Sequence, residues 1–359
     1  MNRRQALRRF HRTRTADERW LPPVADRDGV GRRTWLKRLG AAAVGVGAAK
    51  AVDNVVIGYG PLTGTNLTEQ SMAALAPAPF AWNNRRVAVP GGRIELTERG
   101  ERVTLRGSEQ RSFRLAEASP GDARSAAAAA GVDPGSTEAA VEDLLAFRDG
   151  SVRYEPVPFA EFEAAVTAGT PRPATTELMR AILRETDPDP VAAFVGTSPV
   201  DPIAFAPALA EAFREHTYYD LPRYAAGSVE DNVIMGAADL RQFFESPTSF
   251  EALASGEASG LFCYEFTFRS VQGFHAPPAL GQDPPVAACK VFDERHKHVY
   301  TALATVTRRD GDLVVPMTFV DYTHTTLYDD LNLRSVLGEG LNGYNTRHRA
   351  TELRWWNGV

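Results

Sequence analysis

The most constraining feature of this chain is an Asp-Gly pair set between two strand-like apolar runs in its C-terminal third. Residues His298–Thr307 and Leu313–Asp321 flank Arg308-Arg309-Asp310-Gly311-Asp312, and Asp-Gly supplies the two positive-φ positions that a tight hairpin turn needs. The two runs are therefore expected to lie antiparallel and adjacent, with the start of the first beside the end of the second. His298 and Asp321 occupy those two ends. A third run, Val286–Phe292, precedes them after a Pro/Gly loop at 276–285. Ahead of that loop, Phe262–Val271 has helical spacing, starts after Ser259-Gly260 and is expected to stop at Gly273. One helix followed by an antiparallel meander makes the fold class α+β.

The rest of the chain reads in blocks. Residues 76–116 alternate apolar and polar positions, as in Arg86-Val87-Ala88-Val89 and Arg93-Ile94-Glu95-Leu96, with Gly91-Gly92 and Gly100 between; this predicts a smaller β-rich N-terminal part of short antiparallel strands. Residues 117–137 are rich in Ala, Gly, Ser and Asp and read as a linker or mobile loop, in which Ala126–Ala130 has room for one short helix. Residues 138–250 carry apolar pairs at helical spacing, and Pro171, Pro173, Pro188, Pro190, Pro199 and Pro202 punctuate them. The terminal Leu353-Arg354-Trp355-Trp356 reads as a last strand closing the core.

Charge is distributed unevenly. The net charge is -5 over 359 residues, yet residues 1–50 hold thirteen Lys/Arg against four Asp/Glu, a balance of +9, which leaves -14 for the remainder. An acidic body excludes the phosphate neutralisation that nucleic-acid binding requires, so no nucleic acid is expected as partner. In the basic segment, Arg32-Arg33-Thr34-Trp35-Leu36-Lys37 precedes the small apolar run Gly40 to Ala49, and Ala49-Lys50-Ala51 offers a cleavage site. Residues 1–51 thus resemble a twin-arginine-type leader, which implies an exported, extracytoplasmic protein touching the membrane only through that leader. A basic tail binding an anionic surface is the competing reading. The two cysteines, Cys263 and Cys289, lack C-x-x-C spacing and make at most one disulfide.

Nucleophilic catalysis by sulfur needs a thiolate, an imidazole in reach and a third group to hold the ring. Cys263 falls in the first turn of the expected helix, where helix-terminal amides favour a thiolate and receive an oxyanion. The hairpin brings His298 and Asp321 together. This region, about 229–325, resembles the transglutaminase-like cysteine enzymes through Cys263-Tyr264-Glu265-Phe266, Arg269 to Gly273-Phe274-His275-Ala276, His298-Val299-Tyr300 and Asp321-Tyr322-Thr323, spaced 35 and 23 residues apart from Cys to His to Asp. It differs in that Gly260 stands three rather than two places before the cysteine and Tyr300 where Trp is commonest.

The resemblance implies a papain-like, transglutaminase-like core in which a helix carrying Cys packs on an antiparallel sheet. It also implies Cys263 as nucleophile, His298 as general base and acid, Asp321 as orienting group, a peptide or protein amide as substrate, and no cofactor or metal. Cys289, at mid-strand, reads as core. Two other readings stay open: a non-catalytic extracytoplasmic binding module on the same fold, and a metal site drawn from His296, His298, His324, Asp321 and Cys289.

Overall fold

Two sheets of unlike character organise the protein. The computed structural model describes residues 67–76, 79–80, 85–180, 186–232, 239, 248–255, 259–294, 298–326 and 348–355; the leader, His296 and Trp356 lie outside them. After a short helix α1 (Met72–Leu75), strands β1 (Arg85–Val89), β2 (Gly92–Thr97), β3 (Arg102–Arg106) and β4 (Gln110–Arg114) form an antiparallel meander in chain order. Its period-two pattern sorts the faces as expected: Val87, Ile94, Leu96, Val103 and Leu105 are buried, while Arg86, Arg93 and Arg106 are exposed. Gly91, at φ +81, makes the first turn, and a Cβ there would sit 2.2 Å from the Gly131 carbonyl oxygen.

The expected linker at 117–137 is helical instead. Helix α2 (Pro120–Ala130) is followed after Gly131 by α3 (Pro134–Asp149). Ser119 caps α2 by accepting from the Asp122 amide at 3.2 Å, and Asp122 accepts in return from the Ser119 amide at 3.1 Å. Ala123, Ala127 and Ala130 are fully buried, so the small residues that resemble linker composition are the face that lets α2 lie close against β3 and β4.

Residues 138–250 are mostly helical, as expected, with strands inserted. Strand β5 (Val152–Pro156), helix α4 (Phe159–Thr167), strand β6 (Thr170–Pro171) and helices α5 (Pro173–Met179), α6 (Pro188–Val195) and α7 (Pro202–His216) are followed by β7 (Thr217–Tyr219), α8 (Leu221–Asn232) and α9 (Phe250–Ala254). Pro173, Pro188 and Pro202 sit in the first turns of their helices rather than merely between them, where the missing amide costs nothing. Asp201 caps α7 by accepting from the Ile203 and Ala204 amides at 3.1 and 3.0 Å.

The C-terminal third runs β8 (Ser259–Leu261), α10 (Cys263–His275), β9 (Ala287–Asp293), β10 (His298–Ala304), β11 (Thr307–Arg309), β12 (Asp312–Val320), α11 (Tyr322–Thr325) and β13 (Glu352–Arg354). In the central sheet β13, β9, β10 and β12 are antiparallel neighbours, and β5 joins β12 in parallel. The Asp-Gly hairpin is present: Arg309 pairs with Asp312 across Asp310 and Gly311, at φ +54 and +91. The expected strand His298–Thr307 is broken at 305–306 into β10 and β11. Gly273 does not stop α10, which continues two residues further; it gives way to the Phe205 ring, 3.0 Å from where a Cβ would stand.

Both faces of this sheet are buried. Cys289, Tyr300, Ala302, Met317 and Phe319 join the N-terminal sheet and α3 in one apolar cluster, whereas Val299, Leu303 and Val320 join α7 and α10 in a second. The C-terminal segment closes the edge as expected: β13 pairs with β9 and Trp355 is buried. Among the described residues no helix is long and apolar enough to cross a membrane.

Candidate active site

Cys263 is the first residue of α10, delivered there by β8. Strand β8 pairs in parallel with β7, and the Asp220 amide donates to the Leu261 carbonyl at 2.9 Å. At Gly260 a Cβ would lie 2.9 Å from both Asp220 Oδ2 and the Tyr218 ring, so the approach to the cysteine runs along bare backbone. Glu265 closes the helix start by accepting from the Phe262 amide at 3.3 Å and pairs with Arg223 of α8 at 2.7 Å. Burial raises the Glu265 carboxyl above its ordinary range, and the Arg223 charge works against that rise. Arg223 also lies 5.0 Å over the Phe262 ring, tying α8 to the residue before the cysteine.

His298 and Asp321 come from the two hairpin ends, as the sequence predicts. The ring Nε2 of His298 is 2.7 Å from Asp321 Oδ2, with side chains 10% and 1% exposed. Asp321 is also the N-cap of α11, its Oδ1 accepting from the Thr323 amide at 3.0 Å. The carboxylate is thus oriented from two sides. Desolvation, the largest single influence on His298, opposes its charge; the charge and hydrogen bond of Asp321, joined by a hydrogen bond to the Cys263 side chain, overcome it and hold the imidazole well above its ordinary pKa.

The three residues meet at one end of the central sheet. Helix α10 packs against β9 and β10, Thr267 bridging them by donating to the Cys263 carbonyl at 2.8 Å and lying 3.3 Å from the Val299 carbonyl. Ser270 Oγ is hydrogen-bonded to the Tyr322 hydroxyl at 2.9 Å, which locks α10 to the residue after Asp321. Cys and His–Asp therefore ride on elements joined by buried polar contacts.

Cys289 is apart from this group. It pairs with Ala302 inside the cluster on the sheet face away from α10, and burial pushes its thiol pKa up. Both cysteines are free thiols. Among the described residues no group of three or more His, Cys, Asp or Glu is placed to hold a metal ion, and His296 lies outside them.

Two partners escaped the sequence reading. Arg223 carries no local motif beyond being one arginine in an arginine-rich chain. His348 stands 27 residues beyond Asp321 with no pattern around it, yet its Nε2 is 3.4 Å from Asp321 Oδ2 and its side chain is wholly buried. The site thus gathers Cys263, His298 and Asp321 at element ends of a mixed helix and sheet fold. Comparison with protein-family models, curated proteins and solved structures found no match.

Proposed function

We propose that this protein is an exported thiol-dependent acyl transferase or amide hydrolase of the transglutaminase-like type, with a papain-like core. The observation that carries the reading is the His298–Asp321 pair at 2.7 Å, on a strand packed against the thirteen-residue helix that Cys263 opens. These are the residue types that thiol nucleophilic catalysis uses, which supports the reading.

The chemistry follows from the contacts. His298 takes the Cys263 proton, giving a thiolate beside an imidazolium steadied by Asp321. The sulfur attacks an amide carbonyl of a peptide or protein, and the carbonyl oxygen becomes an anion near the Cys263 and Tyr264 amides, which precede the first bonded amide of α10, that of Glu265 to the Phe262 carbonyl at 2.8 Å. The imidazolium gives its proton to the departing nitrogen, the C–N bond breaks and a thioester remains. Water or an amine then attacks it, His298 removing the nucleophile's proton, and the thiol is released. The basic segment at 1–51 supports export by the twin-arginine route.

The test is alkylation. Iodoacetamide at pH 7 should label Cys263 in the folded protein and spare Cys289, whose buried thiol is shifted upward. His298→Ala should slow labelling at least about 100-fold, the usual scale of general-base assistance. Equal labelling in both proteins, by intact mass and peptide mapping, would leave a non-catalytic fold.

A further inference from the structure

We propose that His348 is a positioning residue of the Cys263–His298–Asp321 site, holding the Asp321 carboxylate in the orientation that serves His298. The proposal rests on the triad reading above and adds to it a residue from the other end of the fold. His348 Nε2 approaches Oδ2 of Asp321, the oxygen that His298 Nε2 also contacts, at 3.4 Å against 2.7 Å. The Thr323 amide takes Oδ1. One carboxylate thus lies at the centre of two imidazoles and a backbone donor.

The rings are ordered as well as near. The Tyr300 ring stacks with His298 at 5.8 Å and 24°, and with His348 at 4.8 Å and 26°, so one ring packs against both imidazoles. The Tyr300 hydroxyl donates to the Arg349 carbonyl at 2.6 Å. That bond fixes the segment carrying His348 to the strand carrying His298.

The segment is further held by residues far away in the chain. The Leu67 amide donates to the His348 carbonyl at 2.8 Å. Gln70 clamps Ala350 in both directions, its amide donating to the carbonyl at 2.7 Å and its oxygen accepting the Ala350 amide at 3.0 Å. The Thr351 amide reaches the Phe292 carbonyl at 2.7 Å, after which β13 continues along β9. A histidine buried to 0% costs desolvation that an apolar residue would avoid, so its placement against a carboxylate has a polar purpose. At 3.4 Å the approach is an ion-pair contact rather than a hydrogen bond, so His348 acts on Asp321 through charge and packing while the short bond goes to His298.

The ionisable groups around the pair are Asp321 from the end of β12, Cys263 from α10 and Asp293 of β9. Asp293 pairs across from His298 and is 2% exposed. Tyr300 lies between the rings, and Arg349 adjoins His348. Of the carboxylates, Asp321 is the one that raises the His298 pKa. If His348 steers Asp321, its loss should lower that pKa.

The experiment compares His348→Phe, which keeps bulk and stacking on Tyr300, with His348→Gln, which keeps a donor near the Nε2 position. His298 is titrated by NMR in each folded protein, and iodoacetamide labelling of Cys263 is followed against pH. Expected results are a lower His298 pKa and an alkylation rate at pH 7 about tenfold down in His348→Phe, the lower end of what loss of an orienting partner costs, with both restored in His348→Gln. Identical His298 titrations in wild type and His348→Phe would overturn the role of His348 alone, provided His298→Ala still stops labelling. Labelling indifferent to His298→Ala would overturn the triad, and the steering role with it.

Discussion

The outer face of β1–β4 and the buried centre of the larger sheet handle positive charge in opposite ways. On β1–β4 one face is wet, and arginines fill it: Arg93 and Arg106 both lean on Glu95, at 2.6 and 2.5 Å, with side chains 49% and 43% exposed. Along β9, β10 and β12 both faces are dry, and the lysine there, Lys290, is 3% exposed. Its ammonium reaches the Tyr264 hydroxyl at 2.9 Å and lies 4.1 and 5.1 Å over the Tyr264 and Phe268 rings. Burial, and then the Arg354 charge, pulls its pKa down to about 7. Water screens the first set of cations; aromatic faces and partial loss of the proton accommodate the second.

If that contrast is right, the largest effect belongs to Lys290→Met. A lysine whose pKa falls from 10.5 unfolded to about 7 folded binds fewer protons when native, so its burial penalty is full below pH 7 and disappears as pH rises past 10.5. Replacing it should stabilise the protein, on the order of 4 kcal/mol at pH 7 and about 1 kcal/mol at pH 9.5. Denaturant titrations at the two pH values check this. A pH-independent change would mean that packing, not charge, decides at this position.

A smaller effect tests how tightly the dry side is packed. Gly273→Ala improves intrinsic helix propensity in α10, yet its methyl would meet the Phe205 and Phe250 rings at 3.0 and 3.4 Å. Both rings are buried and have nowhere to retreat. Overpacking should outweigh propensity, giving a net loss of about 1 kcal/mol. A gain in thermal midpoint would show that the interface between α7 and α10 yields.

The smallest effect belongs to the wet face. Arg93→Ala should change stability by less than about 1 kcal/mol, because an exposed ion pair contributes little and Arg106 still holds Glu95. Its deficit should shrink further at 1 M salt. A loss comparable with that of Gly273→Ala would erase the distinction between the sheets.

The same contrast explains what was legible in the sequence. A strand with one wet face writes its pairing into alternation, so β1–β4 could be read residue by residue. The central strands are apolar on both sides, as in Leu313-Val314-Val315, and reveal their existence but not which face meets which layer. Strand β5 itself alternates, as Val152-Arg153-Tyr154-Glu155, but its parallel pairing with β12 spans about 160 residues of chain and leaves no local mark. Helix α2 was read only in part, as one short helix at Ala126–Ala130, because an alanine face and a loop share a composition, although its cap, Ser119-x-x-Asp122, was in plain view.

The Cys-His-Asp set was legible because each member sits at an element end that local chemistry determines. Helical spacing put Cys263 in a first turn, although Ser259-Gly260 belongs to strand β8 and Phe262 is the cap, and one Asp-Gly turn placed His298 beside Asp321. His348 and Arg223 were decided only by tertiary structure. Their positions depend on a C-terminal segment held by Leu67, Gln70 and Tyr300 and on a helix docked beside the cysteine. Turn and cap preferences act over a few residues and survive in the sequence as spacing, whereas contacts between distant segments arise from packing whole layers together and leave no period to read.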